Sequence, residues 1–175
     1  MNTKQLWGWV VIMLISLPLS AQKIGYTNLE LVLAYLPETQ SVQQQLQTYS
    51  QQLSKRLETR KAYFDTKYQE YAELAQQPGA SQEAMAPMQE ELQKLQAEVQ
   101  REAAKAEQQL AQRQGELMKP ILDKLETEMK AIAAEDGYSY ILNSSASGTS
   151  VILHAAEADD LSKRLLSRMG VTIDE

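Results

Sequence analysis

The chain has 175 residues, with 17 Lys+Arg against 23 Asp+Glu and no cysteine. The acidic balance argues against nonspecific nucleic-acid binding, which works through neutralisation of phosphates by Lys and Arg, and the missing cysteines exclude disulfides, thiol chemistry and cysteine metal sites. One Phe, one His and 19 glutamines between Gln40 and Gln114 predict a single elongated domain rather than a globule with a thick core.

Residues 1–21 read as a secretory signal peptide: Lys4 precedes an apolar run from Leu6 to Leu19 that ends in Ser20-Ala21. About 14 apolar residues fall short of the roughly 20 that cross a bilayer. Cleavage near Gln22 removes both tryptophans, Trp7 and Trp9, and leaves 16 Lys+Arg against 23 Asp+Glu, a net charge of −7 over 154 residues. Such a chain is exported and folds without disulfides.

"KIGYTNL" (23–29) alternates like a strand, and Thr27-x-x-Glu30 forms a capping box that opens a short helix reaching Tyr35. From Val42 the apolar positions then step by 4, 3 and 4: Val42, Leu46, Tyr49, Leu53, Leu57, Arg60, Phe64, Tyr68, Tyr71, Ala75. Nine of these ten positions fit, with Arg60 the exception, whereas a strict heptad from the same origin fits only six of eleven. An eleven-residue period predicts a straight or slightly right-handed helical rod.

The same arithmetic resumes after the only Pro-Gly pair, at Leu92, Leu95, Val99, Ala103, Ala106, Leu110, Gln114, Leu117, Ile121, Leu125, Glu128 and Ile132. Ten of these twelve positions are Ala or larger apolar residues. Two rods in phase across a short breaker predict a helical hairpin, because a linker between domains does not ordinarily join halves in phase. Its tip falls at 76–87, with Pro78-Gly79 as turn chemistry and Pro87 near the first turn of the second helix. The stretch from Glu38 to Ala75 spans on the order of 55 Å at the rise of an α-helix. Ala97, Ala103, Ala104, Ala106 and Ala111 are the expected positions of close backbone approach.

Pro120, in "GELMKPILDKL", predicts a kink that serves as a hinge near the root of the arm, or else a helix break with a short loop. "YSYILNSSASGTSVILHAA" (138–156) reads as a β-hairpin around a Ser/Gly-rich turn, where Asn143-Ser-Ser is turn chemistry rather than a glycosylation acceptor. Asp159-Asp160 then caps a last helix, "LSKRLLSRMG". The fold class is therefore mainly α, a long antiparallel helical hairpin (residues 41–131) on a small β-containing body (22–40 and 132–175). Three short strands leave sheet edges open, which predicts closure by a homo-oligomer of cyclic symmetry.

No catalytic constellation is visible. His154 has no second His or Cys to work with and reads as a structural or solvated strand-end residue. No phosphate-binding, dinucleotide-binding or zinc-hydrolase motif occurs. Glu90-Glu91 and Asp159-Asp160 fit a solvated helix face and a helix start better than acid/base chemistry. The sequence implies neither a cofactor nor a metal, and no enzyme. What remains is a set of aromatic and methionine side chains along the outer arm: Tyr49, Tyr63, Phe64, Tyr68, Tyr71, Met85 and Met88. Phe64 and Tyr68 suit helix packing, but a two-helix arm has one buried seam, so large side chains on its flanks meet solvent or a partner. Adaptable Met and Tyr suit loose apolar contact with many partners.

"KIGYTNLELVLAYLPE", the Gln-rich hairpin, "KPILDKLETEMKAIAAEDGYSYIL" and "DDLSKRL" together resemble the Skp/OmpH family of periplasmic chaperones over essentially the whole mature chain. The most specific parts are Ile24-Gly25-Tyr26 with Leu36-Pro37, the Pro120 segment, and Gly137-Tyr138. The resemblance implies a homotrimer whose strands form a central intersubunit β-barrel, with three coiled-coil arms holding unfolded outer-membrane proteins without ATP in the periplasm. It implies barrel roles for Ile24, Tyr26, Leu29, Ile141, Val151 and Leu153. It also implies client contact through Leu53, Leu57, Tyr63, Phe64, Tyr68, Tyr71, Met85 and Met88. One departure stands out: family members known for anionic-lipid binding carry basic arm tips, whereas residues 62–100 here have Lys67 and Lys94 against seven carboxylates, a net −5. The acidic tip argues against attraction to anionic lipid. The rival reading is a structural coiled-coil envelope protein acting as a spacer or partner-binding scaffold.

Overall fold

A computed structural model describes residues 22–172; the signal-peptide reading of residues 1–21 lies outside them. In chain order come strand β1 (Lys23–Thr27), helix α1 (Leu29–Tyr35), helix α2 (Pro37–Ala75), helix α3 (Gln82–Asp136), strand β2 (Tyr138–Asn143), the two-residue strands β3 (Ser145–Ala146) and β4 (Thr149–Ser150), a 3-10 turn (Glu157–Asp159) and helix α4 (Ser162–Arg168).

Helices α2 and α3, of 39 and 55 residues, run back along each other as the predicted hairpin, and α3 alone is about 80 Å long at 1.5 Å per residue. Pro37 occupies the first turn of α2, where its missing N–H breaks no hydrogen bond. The connecting turn is shorter than expected, because Ser81 rather than Pro87 sets the start of α3: its side chain accepts the Ala84 N–H at 3.2 Å. Pro87 therefore lies inside the helix, a turn and a half from its start, where it removes a backbone donor to the Glu83 carbonyl. Pro120 is also interior to α3, so the alternative of a helix break and loop is overturned.

The seam follows the eleven-residue repeat from Val42 to Phe64 and then changes phase. Beyond Phe64, Lys67, Tyr71 and Leu74 are half-buried while Tyr68 and Ala75 are exposed, so Tyr68 is not the packing residue its spacing predicts. The reason is local. Lys67 lays its stem on the seam while its ammonium meets Glu70 Oε2 at 2.6 Å, and Leu74 offers more apolar surface than Ala75. On α3 only Gln114 among the twelve expected seam positions is exposed. Glu128, which broke the apolar pattern, is answered by Arg168 at 3.2 Å. Of the alanines expected at close approach, Ala103 and Ala106 face the seam, whereas Ala97, Ala104 and Ala111 are exposed.

The thick core lies at the root of the arm. Val32 of α1, Leu36 at the junction of α1 and α2, Val42 of α2, Ile121, Leu125 and Ile132 of α3, and Leu161, Leu165, Leu166 and Met169 at α4 pack as one buried cluster. Ion pairs close its rim: Arg164 reaches Asp136 and, at 2.9 Å, Glu135, while Arg168 reaches Glu135 at 2.5 Å. Together these cations face the carbonyl end of α3, where positive charge is favoured.

The β elements differ most from expectation. β2 does not fold back on Val151–Leu153; it pairs in parallel with β1, with Ile24 beside Tyr140 and Tyr26 beside Leu142. A hairpin survives only as β3 and β4, two residues each, around Ser147-Gly148 with φ of 52° and 77°, the left-handed pair that suits a tight β-turn. The short apolar run Val151–Leu153 forms no strand of its own; only Val151 extends the hairpin, its N–H donating to the Ser144 carbonyl at 2.9 Å. Parallel pairing wins because α3 returns the chain to the root beside β1, and the face bearing Gly25 and Ile141 then closes on the core. A Cβ at Gly25 would lie 2.8 Å from Leu161 Cδ1 and 3.0 Å from the Tyr138 ring, so only glycine admits this packing.

Thr27, Asn28, Asn143 and Ser162 knit the junction. Asn28, not Thr27, caps α1 by accepting the Leu31 N–H at 3.0 Å. Thr27 Oγ1 instead meets Ser162 Oγ at 3.3 Å, and Ser162 Oγ accepts the Asn28 N–H at 2.9 Å. The cap expected from Asp159-Asp160 is met in part: Leu161 holds the cap position of α4 without a side-chain bond and Asp159 ends the 3-10 turn, while Asp160 accepts the Ser162 N–H at 2.8 Å.

Candidate functional site

The outer arm carries the apolar surface. Arg60 Nη1 and Glu98 Oε2, 3.7 Å apart, fix the level at which the two helices face each other. Four residues further out on α2 comes Phe64, half-buried, and on α3 Leu95 is buried. The Phe64 ring stacks on Tyr68, with centroids 6.3 Å apart and planes 25° apart. Tyr68 is 56% and Tyr63 46% exposed, although a phenol ring gains by burial. Lys67 Nζ lies 6.0 Å from the Tyr63 ring centre, and its hydrogen bond to Glu70 raises its pKa above the usual lysine value. Tyr49, Tyr71, Met85 and Met88 are half-buried, each with part of its side chain available.

Two of the residues expected to meet a client lie elsewhere than on the flanks. Leu53 is buried between the helices at 5% exposure, because it is the seam position opposite the small Ala103 and Ala106; its assignment to the client surface is corrected. Leu57 is half-buried beside it, in a shallow groove that Leu110 also lines.

The body holds a second apolar surface. The outward face of the β1–β2 pair presents Ile24, Tyr140 and Leu142, all close to half exposed, with Tyr26 half-buried among them. Burial and the neighbouring Asp160 carboxylate raise the pKa of Tyr26. Val151 and Leu153 lie open to solvent, Leu153 almost completely at 97%. Leu29 and Ile141 instead lean on the core of their own chain. Tyr140 and Leu142 were missed in the sequence, yet the alternation of Tyr138-Ser-Tyr-Ile-Leu marks them once β2 is known to have one covered face.

The small hairpin beside this face is held by one carboxylate. Glu30 Oε2 accepts from Ser145 Oγ at 2.8 Å, and both oxygens of Glu30 accept the Gly148 N–H at 3.1 and 3.2 Å. The Gly148 N–H, then the Ser145 hydroxyl, hold the Glu30 carboxyl below the usual glutamate range. Its contribution is fully present at neutral pH and is lost as pH falls through that lowered value. Measured against its intrinsic rate at each pH, exchange of the Gly148 amide proton should therefore be slowed at pH 7 and lose that protection on acidification, while Glu30→Gln should lack the protection at both; a Gly148 protection factor that ignores both changes would refute the clamp.

At the root, Val42, Leu117, Pro120, Ile121 and Met169 line an open cleft rimmed by Glu38 and Lys124, whose charged groups are 3.9 Å apart. Among the described residues no group of His, Cys, Asp and Glu is arranged to hold a metal, and no helix is long and apolar enough to cross a membrane. His154 is exposed.

A long two-helix arm with exposed aromatics, rooted in a small α/β body with an open apolar sheet face, defines a class built for surface contact. Residues 23–169 match the family described as outer membrane protein (OmpH-like). The chain belongs to this family, whose members are chaperones and not enzymes. Among solved structures it is similar to a Caulobacter crescentus CB15 protein described as an OmpH-like outer membrane chaperone, with 13% identity, a TM-score of 0.67, and coverage of 89% of this chain and 90% of that one. That similarity carries the fold. Among curated proteins none matches the sequence.

Proposed function

We propose that the protein is an ATP-independent periplasmic holdase that shields unfolded outer-membrane proteins between the arms of a homotrimer. The observation that carries this reading is the exposure of Tyr63 and Tyr68 on a slender arm with Tyr71, Met85 and Met88 beside them. Each such contact with a client is weak, but several arms around one chain raise the effective concentration of the remaining contacts and slow escape. Family membership and the outer-membrane chaperone named among its structural relatives support the client class. The trimer is supported by the outward apolar face of Ile24, Tyr26, Tyr140 and Leu142 and by the exposed side chains of Val151 and Leu153, which further copies would cover. The apolar run of residues 6–19 supports export.

The test is refolding of an outer-membrane barrel from denaturant in detergent-free buffer. A holdase suppresses its aggregation at about one trimer per client, the stoichiometry expected when the arms of one assembly enclose one chain. A structural spacer leaves aggregation unchanged. Pro120 is the proposed hinge: its ring leaves the Glu116 carbonyl without an intrahelical donor, and Pro120→Ala restores the bond, with a helix-propensity gain of up to about 3 kcal/mol. The variant should accept a narrower range of client sizes, and an unchanged size range by native mass measurement would count against the hinge.

A further inference from the structure

The arm is charge-segregated along its length. At mid-arm, Lys55, Arg56, Arg60, Lys61, Arg101 and Lys105 outnumber Glu58, Glu98 and Glu102, so the band formed by residues 55–61 and 97–105 is net +3 in a chain that is net −6. The outer part, residues 62–96, is net −4. Lys55, Arg56, Lys61 and Lys105 make no ion pair among the described residues, and neither do Asp65, Glu73, Glu83, Glu90 and Glu91. Both zones are exposed. Lys61 and Asp65 meet at the boundary, one helical turn apart, but the centres of the two zones lie near the levels of residues 58 and 70, about 18 Å apart along the helix, so most of the charge is not neutralised within one arm.

We propose that the arms of two copies from different assemblies pair antiparallel, the basic band of each lying on the acidic tip of the other. A two-fold axis at the level of Phe64, midway between the zones, superposes band on tip at both ends at once and so makes a self-complementary, closed contact. Tyr63 and Tyr68, the exposed aromatics of the arm, flank that level. An apolar centre with charged ends is the usual anatomy of a protein interface. Net repulsion between the acidic copies does not oppose this strongly at physiological salt, where charges farther apart than about 8 Å are screened and facing pairs decide. Taken with the client-holding reading, on which this consequence rests, the pairing covers the client surface: idle assemblies cap one another, and clients compete for the same aromatics.

Sedimentation velocity on the full assembly tests the pairing without any client. At low ionic strength the wild type should show a concentration-dependent species of twice the basal mass, which high salt removes. Lys55→Glu/Arg56→Glu/Lys61→Glu makes band and tip both negative, and Glu73→Lys/Glu83→Lys/Glu90→Lys makes both positive. Each variant alone should associate at least about tenfold more weakly, as facing like charges repel. An equimolar mixture of the two should regain the doubled species, because each variant's band then faces a tip of opposite sign. Helical circular dichroism checks that both fold. The proposal is overturned if the wild type forms no doubled species, if the mixture fails to restore it, or if the band variant loses only client binding, which would assign the band to clients.

Discussion

Leu165→Ala should lower the unfolding free energy by about 2–5 kcal/mol, the range for truncating a fully buried leucine. Leu165 is 0% exposed and lies in the one cluster that draws on α1, α2, α3 and α4 together. Its removal leaves a cavity that the surrounding side chains cannot fill without moving four helices. Leu57→Ala, half-buried between only two helices, should cost clearly less, because neighbouring water and side chains can occupy the space. Urea unfolding followed by circular dichroism, at fixed protein concentration because assembly adds to apparent stability, measures both. If the arm variant proves the more costly, the body does not anchor the fold.

The order of these two effects follows from the shape, and the shape was largely legible. Apolar spacing fixes a helix face wherever each residue competes only with its neighbours one turn away, so Val42, Leu46, Leu53 and Leu57, with Leu95, Ile121 and Ile132 opposite, identified both rods and their hairpin. The pattern failed at Tyr68, where two spacings were open and Leu74 settled the choice. It failed also at Pro87, because Ser81 offered an earlier cap that a Pro-Gly search passes over. Strand pairing was the least legible part. Local alternation says that residues 138–143 form a strand but not which segment lies beside it, and the partner proved to be β1, more than a hundred residues away and delivered by the length of α3. Glu30 was read as half of a capping box, and its true partners, Ser145 and Gly148, are equally remote in sequence.

The candidate site was legible in a different way. Residue type pointed to Tyr63, Tyr71, Met85 and Met88 because a thin arm has too little seam to bury them. Leu53 went wrong for the same reason in reverse: nothing in its own identity tells that the facing residues are the small Ala103 and Ala106, which let the backbones close over it. Exposure of a given side chain thus depends on what the opposite helix offers at that level, and a single helix's period does not contain that information.

Replacing Tyr68, Tyr71, Met85 and Met88 together with serine should weaken client binding while the assembly keeps its mass. These side chains are exposed or half-buried, and their loss removes apolar contact worth on the order of 2–4 kcal/mol in sum, which is roughly a 30- to 700-fold change in affinity. Because none of the four belongs to the core cluster at the root, the body and its open sheet face are untouched. Serine also lowers helix propensity by a few tenths of a kcal/mol per site, so a control is needed. Serine at the exposed Gln43, Gln47, Gln51 and Gln108 makes the same number of changes without removing apolar surface. Aggregation of an outer-membrane barrel, measured by light scattering, should rise sharply with the first variant and stay near the wild-type level with the second. Equal protection by both would detach client holding from the aromatic tip and move it to the groove beside Leu57 or to the cleft at Pro120.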